Sequence, residues 1–523
     1  MKKKLSFLNS PPAHLVFTIM GVISCILFKS FSIWWVFTNI TMGFEHFAET
    51  LLIVMALNTT LLGVLSYVKL NNSQSKKAVN IIYGISAFLA TVLFSVAIGT
   101  VVTLFFGEDS GTIRCALAEN VYKALPILLV AFLIALYPRF NIKAKKIIAA
   151  LMLICSALWI VNDFAPLSSY KITSDPMVID TGKEYSVVFS TSHYGTGYIE
   201  YTYEGKDYKI TDHTTGRLDC DSLIHSIQVP YEHLKNNTYK VGSTRVIEEF
   251  GYGSRLGAEV ISEEYTFTCN ESDNQTYLVI SDWHTMIDNA YSAISYLGDY
   301  DAVILLGDSA PNVDYEKTVA ENTVVFGGNV SGGTKPVIYV RGNHETRGDY
   351  ANDLPTALGL DILYYTADVG PYSFVVLDSG EDKEDSHPEY GGLTDYGSYR
   401  ADMIEWLKTA ETTNDKVIAL SHAWEISQVE EDLSPEGWDE IDRMGARLMI
   451  SGHSHQCRFL SSEADDREGT IFSAHPDIIG YMDGGKNGDE VYIASMLTLK
   501  PDGFEIKAVN NFGEEIQSES FQW

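Results

Sequence analysis

The sequence is poor in cysteine, proline and positive charge, and each shortage excludes a class of protein. Only 6 Cys and 15 Pro occur among 523 residues, which excludes a disulfide framework and a collagen-like chain. The 37 basic side chains are outnumbered by 68 acidic ones, and the formal net charge of -31 argues against nucleic-acid binding through a basic surface. A chain of this length predicts roughly three domains.

The first third of the chain differs from the rest, because it is apolar and has few acidic groups. Residues 1–166 hold 13 Lys or Arg and 6 Asp or Glu, whereas the remainder holds 24 and 62. Long apolar runs occur at Leu15–Phe37, Phe47–Val68, Ala78–Phe106, Tyr122–Tyr137 and Ala144–Val161. A helix needs about 20 such residues to cross a bilayer. A cleaved signal peptide is the alternative for the first run, but the other runs follow it. We therefore predict an α-helical transmembrane bundle of about five helices over residues 1–166.

The loops between these runs predict how the bundle is oriented. Lys and Arg are concentrated at the N-terminus and in the loops after the second and fourth runs, whereas the intervening loops are mainly acidic. Basic residues of short loops stay on the cytoplasmic side. We therefore predict a multi-pass protein of the cell membrane, with a cytoplasmic N-terminus and an extracellular remainder after about residue 166.

Short alternating stretches follow from Tyr170 to about Cys269. Tyr185–Phe189 and Tyr198–Tyr203 are examples, and Gly, Asn and Asp bound such stretches. This pattern predicts a small all-β sandwich of the immunoglobulin or fibronectin kind at residues 167–272. Whether Cys220 and Cys269 form a disulfide stays open at this point, because a disulfide depends on the distance between the two residues, which the sequence does not give.

From Tyr277 onward, apolar strand-like runs alternate with helical stretches. The runs are Tyr277–Ile280, Ala302–Leu306, Val337–Val340, Phe374–Leu377, Val417–Leu420 and Leu448–Ile450. The alternation predicts an α/β domain with covered sheets at residues 273–523. In such folds ligands bind just beyond the carboxyl ends of the strands.

Polar side chains that can bind a metal ion follow five of these strands. They are Asp282, His284, Asp308, Asn343, His344, His422, His453 and His455. Carboxylate, amide and imidazole donors suit borderline metals such as Mn, Fe and Zn. The set is too large for one ion and suits two ions that share a bridging carboxylate. Singly, such a residue is more often a turn former, a helix cap or a surface histidine than a metal ligand.

Together these motifs resemble the calcineurin-like metallophosphoesterase family, in which D-x-H, G-D, G-N-H-D/E, H and G-H-x-H occur in this order. The resemblance covers about residues 275–500. It implies two packed mixed sheets flanked by helices, and a first metal bound by Asp282, His284 and His455. It also implies that Asp308 bridges both metals and that Asn343, His422 and His453 complete the second. The expected function is a membrane-anchored, outward-facing hydrolase of phosphate mono- or diesters, in which a hydroxide between the two metals attacks phosphorus.

The resemblance also assigns residues that handle the substrate. His344 adjoins a ligand without being one, and it resembles the family's general acid. Arg341 and Arg347 flank the same loop and are candidates for holding a phosphate oxygen. The alternative for both arginines is a salt bridge within this acidic domain. Trp283 has two interpretations, as a wall of the site or as core packing.

The sandwich is similar to the N-terminal module of purple acid phosphatases, but the site departs from that family. His284 stands where those enzymes have glycine, and Pro311 stands where they have a metal-binding tyrosine. A tyrosinate–iron site is therefore not expected. Two other functions stay open, namely an inactive phosphoesterase-like sensor and a transporter with an accessory domain. The ester, the metal and the oligomeric state are not determined by the sequence.

Overall fold

The computed structural model describes residues 170–213, 215–250, 253–423, 435–460, 463–465, 471–473 and 477–523, with a few isolated positions between 61 and 85. The chain divides into two compact units, of which the second comprises residues 170–247 and 256–523. The first comprises residues 1–169 and 248–255. Nearly all the described residues belong to the second unit, which contains the predicted site.

In the chain from residue 170 to residue 272, called the β-module below, the regular elements are strands apart from one helical turn. They are β1 (Met177–Asp180), β2 (Tyr185–Tyr203), β3 (Lys206–Thr211), β4 (Ser222–Val229), β5 (Asn237–Phe250), β6 (Gly253–Ile261) and β7 (Tyr265–Phe267). One helical turn, α1 (Tyr231–Leu234), lies between β4 and β5.

Strands and short helices alternate after residue 273. The strands are β8 (Gln275–Ile280), β9 (Ala302–Leu305), β10 (Pro336–Tyr339), β11 (Tyr365–Val369), β12 (Tyr372–Val376), β13 (Val417–Leu420), β14 (Ala446–Ser451), β15 (Arg458–Leu460), β16 (Glu463–Asp465), β17 (Ile471–Ser473), β18 (Ile479–Met482), β19 (Gly485–Asn487), β20 (Val491–Lys500), β21 (Gly503–Asn510) and β22 (Glu515–Gln522). The α-helices are α2 (Ile287–Ile294), α3 (Glu316–Val319), α4 (Val325–Ser331), α5 (Leu354–Ala357), α6 (Tyr396–Leu407) and α7 (Pro435–Arg443). A π-helical turn spans Ala320–Val324, and 3-10 turns span His344–Thr346 and Pro388–Tyr390.

Two mixed sheets form the scaffold of the site. The larger sheet has the order β22-β21-β20-β8-β9-β10-β1-β2-β5-β6, and β8, β9 and β10 are parallel. The other has the order β11-β12-β13-β14-β18-β15, with parallel pairing from β12 to β18. One hydrophobic cluster contains buried residues of both sheets, such as Leu278, Ile304, Phe374 and Ile418. The sheets therefore pack face to face, and their central parallel strands are continuous apolar runs because both faces are covered.

The β-module is joined to the larger sheet by β1. Val178 and Ile179 of this strand pair in parallel with Pro336 and Val337 of β10, and the other edge of β1 pairs with β2. Hydrogen-bonded pairing therefore continues across the predicted boundary near residue 272. The domain limits 1–166, 167–272 and 273–523 stay predictions, as does the similarity of the module to that of purple acid phosphatases. Cys269 is a free thiol, so it does not pair with Cys220.

The predicted fold class is wrong in beginning with a helical transmembrane bundle. Within the described part of the chain, no helix is long and apolar enough to cross a membrane. The longest uninterrupted α-helix with described bounds is α6, with 12 residues. At about 1.5 Å per residue it falls well short of the roughly 30 Å of a hydrocarbon core. The described structure is instead mostly β-sheet with an α/β domain. The apolar runs that motivated the prediction lie outside the described residues, apart from isolated positions.

Asp180 at the end of β1 makes the stability of this junction depend on pH. Its side chain is 1% exposed, and Oδ1 accepts hydrogen bonds from Tyr231 Oη at 2.5 Å and from the Gly182 amide at 2.9 Å. Burial raises the pKa of Asp180 to about 7. The folded chain therefore keeps a proton that the unfolded chain loses near pH 4. Folding stability consequently falls as the pH rises from about 4 to 7, by about 1.4 kcal/mol per pH unit.

Replacing Asp180 with asparagine should remove this slope, because the amide does not titrate. We expect the free energy of unfolding of Asp180→Asn, relative to the wild type, to increase between about pH 4 and pH 7 by a few kcal/mol. Denaturant unfolding of the full chain at several pH values measures this difference. If the free energy of unfolding depended on pH in the same way in both proteins, the raised pKa would not belong to Asp180.

Candidate metal centre

The predicted ligands converge where the carboxyl ends of the parallel strands of the two sheets meet. Asp282 and His284 follow β8, Asp308 follows β9 and Asn343 follows β10 in the larger sheet. From the other sheet, His422 follows β13, and the pair His453 and His455 follows β14. Parallel strands bring such ends to one edge, and this edge is where ligands bind in α/β folds.

The backbone at these ligands adopts a conformation that is uncommon for residues other than glycine. The angle φ is +46° at Asp282, +58° at Asp308, +63° at His453 and +54° at His455. Left-handed conformations at such residues are costly, and they cluster at functional sites. Hydrogen bonds between segments distant in the sequence hold them here, such as that from the His453 amide to Asp282 Oδ2 at 2.9 Å.

A glycine beside the ligands is required by close packing. A Cβ atom on Gly342 would lie 2.2 Å from Asp308 Oδ1, a separation that no side chain tolerates. The glycine at position 342 in the third motif therefore lets the loop after β10 lie directly against Asp308.

The first ligand group is Asp282, His284 and His455. Their candidate ligand atoms all lie within 4.8 Å of one another. Asp282 Oδ1 is 3.2 Å from His455 Nε2 and 3.9 Å from His284 Nε2. These separations leave room for one cation among the three side chains.

The second ligand group is Asp308, Asn343, His422 and His453. Asn343 Oδ1 lies 3.2 Å from His422 Nε2 and 3.2 Å from His453 Nδ1. Asp308 Oδ2 is 3.3 Å from His422 Nε2. The same carboxylate oxygen is 3.5 Å from His284 Nε2 in the first group. Asp308 therefore lies between the two groups, in the position of a bridging ligand.

The electrostatic surroundings keep most of these side chains in the state that metal binding requires. Burial lowers the pKa of His284 to about 4 and also lowers the pKa of His453, so both imidazoles are neutral at pH 7. Burial would raise the pKa of Asp308, but the neighbouring imidazoles, His422 first, hold it well below its ordinary value. Burial disfavours protonation of His422, yet the charges of Asp308 and Asp282 raise its pKa to about 10. A metal bound at His422 must therefore displace a proton.

Two buried atoms indicate that the centre fits cations. Asp282 Oδ1 is buried and accepts no hydrogen bond from the described residues. One terminal atom of the Asn343 carboxamide lies 3.2 Å from each of His422 Nε2, His453 Nδ1 and Asp308 Oδ2. Electron-pair donors that face each other in this way match the ligand shell of a metal ion, and the N and O donors suit Mn, Fe or Zn.

Glu345 supports the centre, and the sequence pattern gave this residue no role. It is fully buried, and its Oε2 accepts from the backbone amides of Asp308 at 2.8 Å and Gly342 at 3.0 Å. Its Oε1 accepts from the amide and the hydroxyl of Ser309, each at 2.6 Å. This carboxylate therefore fixes the loop that carries Asp308 against the loop after β10. The acidic position of the G-N-H-D/E motif was the available signal.

His344 lies at the open side of the centre. Its side chain is 27% exposed, and Nε2 is 3.8 Å from Asp308 Oδ2. Its Nδ1 lies 2.7 Å from the carbonyl oxygen of Pro311. Because a carbonyl only accepts, Nδ1 donates there, and Nε2 is the nitrogen left to face a substrate.

The two arginines differ in their surroundings. Arg341 is buried and forms an ion pair with Asp378, with 2.8 Å between Nη2 and Oδ2, so the salt-bridge alternative describes it. Arg347 donates to both carboxylate oxygens of Glu381 at 2.7 Å, and its Nη1 is 3.4 Å from His344 Nε2. Arg347 therefore remains next to the centre even though it is paired. Its predicted contact with phosphate, like that of Arg341, stays a prediction.

Trp283 belongs to the core rather than to the wall of the site. Its side chain is fully buried and donates from Nε1 to the Asn322 carbonyl oxygen at 2.9 Å. The indole stacks on Phe326 with 5.0 Å between ring centroids. The core-packing interpretation is therefore the correct one.

The fold and the donor set define an α/β protein with a metal-binding site. Comparisons with known proteins show which family of such proteins this part of the chain resembles. Residues 276–457 match the family model of the calcineurin-like phosphoesterases. No curated protein matches the chain. Residues 276–457 therefore form a calcineurin-like metallophosphoesterase domain, and the predicted activity of a metal-dependent hydrolase of phosphate esters is confirmed.

Several solved structures are similar at low identity. A predicted phosphoesterase from Streptococcus pneumoniae TIGR4 is 15% identical, and the match covers 48% of this chain and 99% of that one, with a TM-score of 0.23. Vps29 from Entamoeba histolytica, complexed with Zn²⁺, is 11% identical over 47% of this chain and 98% of that one, with a TM-score of 0.24. A metallophosphoesterase from Sphaerobacter thermophilus is 14% identical over 43% and 84%, with a TM-score of 0.22. TM-scores of this size do not carry the assignment, which depends on the family match.

Proposed function

We propose that the chain hydrolyses phosphate mono- or diesters with two metal ions that share Asp308. The observation that carries this proposal is the position of Asp308 Oδ2, which lies 3.5 Å from His284 Nε2 and 3.3 Å from His422 Nε2. One carboxylate oxygen between two sets of imidazole and carboxylate donors is the arrangement that a dinuclear centre needs. Asp282, His284 and His455 would hold one ion, whereas Asn343, His422 and His453 would hold the other.

Two bound cations would neutralise charge on the phosphoryl oxygens. They would also lower the pKa of a water molecule, so that hydroxide would be available to attack phosphorus. The protein's own contribution is to keep the donors in place before the substrate arrives. Asp308 is fixed by Glu345 through the backbone, and its Oδ1 accepts from the His344 amide at 2.9 Å. Such preorganisation avoids a reorganisation cost during the reaction.

His344 is the side chain that protonates the leaving oxygen. Its Nδ1 is committed to the Pro311 carbonyl, which orients the ring and leaves Nε2 free to donate when the ring is doubly protonated. Arg347 Nη1 lies at nearly equal distances, 3.5 and 3.4 Å, from the two ring nitrogens, and so it lies beside the ring. Its ion pair with Glu381 holds the guanidinium in that position.

Replacement of His344 with alanine should lower kcat according to the leaving group. For an alkyl phosphate, whose leaving oxygen needs a proton, we expect a loss of about a hundredfold or more. For a p-nitrophenyl ester the loss should be several times smaller, because p-nitrophenolate departs without protonation. Steady-state kinetics with the two esters measure the ratio.

The matched control is His213→Ala, at an exposed histidine of the β-module. It should change neither rate. Equal losses for both esters in His344→Ala, or a loss of bound metal in that variant, would contradict a role in proton donation.

The proposed hydrolysis is tested with the full chain in detergent, loaded with Mn²⁺ and offered p-nitrophenyl phosphate and bis-p-nitrophenyl phosphate. We expect turnover of at least one ester, loss of turnover on chelation and recovery on return of Mn²⁺. Bound metal without turnover of either ester would favour the inactive sensor instead. Attachment to a membrane and an extracellular catalytic domain stay predictions, because they depend on residues 1–166, outside the described residues.

A further inference from the structure

A cavity of about 820 Å³ lies between the β-module and the catalytic domain, and we call it the module cavity. Its walls include His193 and Tyr194 of β2 and Arg245 of β5 on one side, and Asp314, Tyr315 and Asp349 on the other. None of the predicted metal ligands lines it. Its volume is within the roughly 300–1,000 Å³ of small-molecule sites.

The module cavity adjoins the loop that carries His344. The Val313 amide donates to the Arg347 carbonyl at 2.8 Å, and the Tyr350 amide donates to the Val313 carbonyl at 3.0 Å. Asp349 is only two residues beyond Arg347, a stretch of chain that spans at most about 7 Å. Arg347 itself contacts the ring of His344. The loops that follow β9 and β10 therefore contribute residues both to the metal centre, such as Asp308 and His344, and to the cavity, such as Asp314 and Asp349.

The two walls are fixed relative to each other by Glu316. Its Oε1 accepts from the Leu223 amide at 2.6 Å, from the Ile224 amide at 3.0 Å and from the Ser222 hydroxyl. This carboxylate of α3 thus clamps β4 of the β-module. These hydrogen bonds therefore hold the two walls of the cavity at a fixed separation.

The chemistry of the cavity walls selects a planar ligand with polar edges. Tyr194 and Tyr315 are 51% and 71% exposed, so their rings are available for stacking at the mouth. Arg245 lines the cavity and is only 8% exposed, so it adds a cationic side chain to the wall. Burial lowers the pKa of His193, which keeps this imidazole neutral. Asp314 and Asp349 supply exposed carboxylates that accept from hydroxyl groups.

From these groups we infer that the module cavity binds the nucleoside part of a phosphate-ester substrate, an inference that rests on the proposed function. The base stacks on Tyr194 and Tyr315, acceptor atoms on its edge face Arg245, and the ribose hydroxyls face the carboxylates. Base stacking on aromatic side chains tolerates any base, because every base has a π face. The cavity therefore selects nucleotides as a class and no single base.

The experiment compares kcat/KM of the Mn²⁺-loaded full chain for matched esters with and without a nucleoside. The monoester pair is adenosine 5′-monophosphate and glycerol 2-phosphate. The diester pair is thymidine 5′-p-nitrophenyl phosphate and methyl p-nitrophenyl phosphate. In Tyr194→Ala and Tyr315→Ala, the preference for the nucleoside ester should fall by at least about fivefold. The phenylalanine variants should keep the preference, because they keep the ring.

The matched control is Tyr296→Ala, because Tyr296 is 52% exposed and does not line the cavity. Calorimetry of adenosine with each variant provides a readout that does not depend on catalysis, and binding should weaken in the two alanine variants of the cavity. An unchanged preference in both of those variants, or an equal fall in Tyr296→Ala, would overturn the inference and leave the hydrolase intact. Equal dependence of glucose 6-phosphate hydrolysis on the two tyrosines would overturn the nucleoside class. Adenosine binding without hydrolysis of any ester would overturn the proposed function and, with it, the substrate role of the cavity.

Discussion

Replacing Asp308 with asparagine is expected to lower kcat for phosphate esters by about a thousandfold or more, which corresponds to roughly 4 kcal/mol of transition-state stabilisation. Asp308 Oδ2 lies between the two ligand groups, and asparagine would remove the negative charge that both ions share. The amide would also present an N–H group toward one of the groups. Steady-state kinetics together with metal analysis of the same sample measure both consequences.

The matched control for this substitution is Asp299→Asn, at an exposed aspartate of the loop that precedes β9. It should leave both the rate and the metal content unchanged. If Asp308→Asn bound two metal ions and retained the wild-type rate, the bridging role would be refuted. A loss of metal in both variants would instead indicate general damage to the fold.

The second large effect is expected at Glu345, which touches none of the proposed metal ions. In Glu345→Ala, the amides of Asp308, Ser309 and Gly342 would each lose their hydrogen-bond acceptor inside the protein. An unsatisfied buried donor costs about 1–3 kcal/mol, so we expect a destabilisation of several kcal/mol. Because Asp308 would also lose its support, metal affinity should fall by about 10–100-fold.

Denaturant unfolding and metal titration measure these two quantities separately. Glu345→Gln keeps one acceptor oxygen, and its effects should be intermediate. Glu490→Ala removes an exposed carboxylate and should change neither quantity. Wild-type metal affinity in Glu345→Ala would show that Asp308 holds its position without this buried carboxylate.

The convergence of the candidate ligands could be predicted from sequence because each motif is local to the end of a strand. Asp282 and His284 follow β8 directly, and His453 and His455 follow β14 directly. The topology of parallel strands then brings these ends to one edge without any knowledge of side-chain contacts. The structure adds the pairing, with Asp308 between the two groups.

Contacts between distant residues could not be predicted in this way. Glu345 and Asp308 are 37 residues apart, as are Arg341 and Asp378, and nothing in the local pattern of either residue indicates its partner. The parallel pairing of β1 with β10 likewise joins segments separated by most of the β-module and by two strands of the catalytic domain. Such contacts depend on tertiary packing, which is also why Trp283 allowed two interpretations.

The fold class went wrong at the helical bundle, which was predicted from hydropathy and the charge of the loops alone. Apolar runs before residue 166 predicted membrane-spanning helices, but within the described residues no helix is long and apolar enough to cross a membrane. The motifs after residue 273 had two independent supports, namely residue chemistry and position at strand ends. Agreement between independent signals separates the stronger prediction from the weaker one.

Whether two metal ions share Asp308 is tested most directly by measuring activity against equivalents of added metal. The chain is stripped of metal, titrated with Mn²⁺ and assayed for hydrolysis of bis-p-nitrophenyl phosphate and p-nitrophenyl phosphate after each addition. We predict that activity stays low through the first equivalent, rises with the second and reaches its plateau at two ions per chain. Full activity at one equivalent, or activity that survives without metal, would contradict the claim.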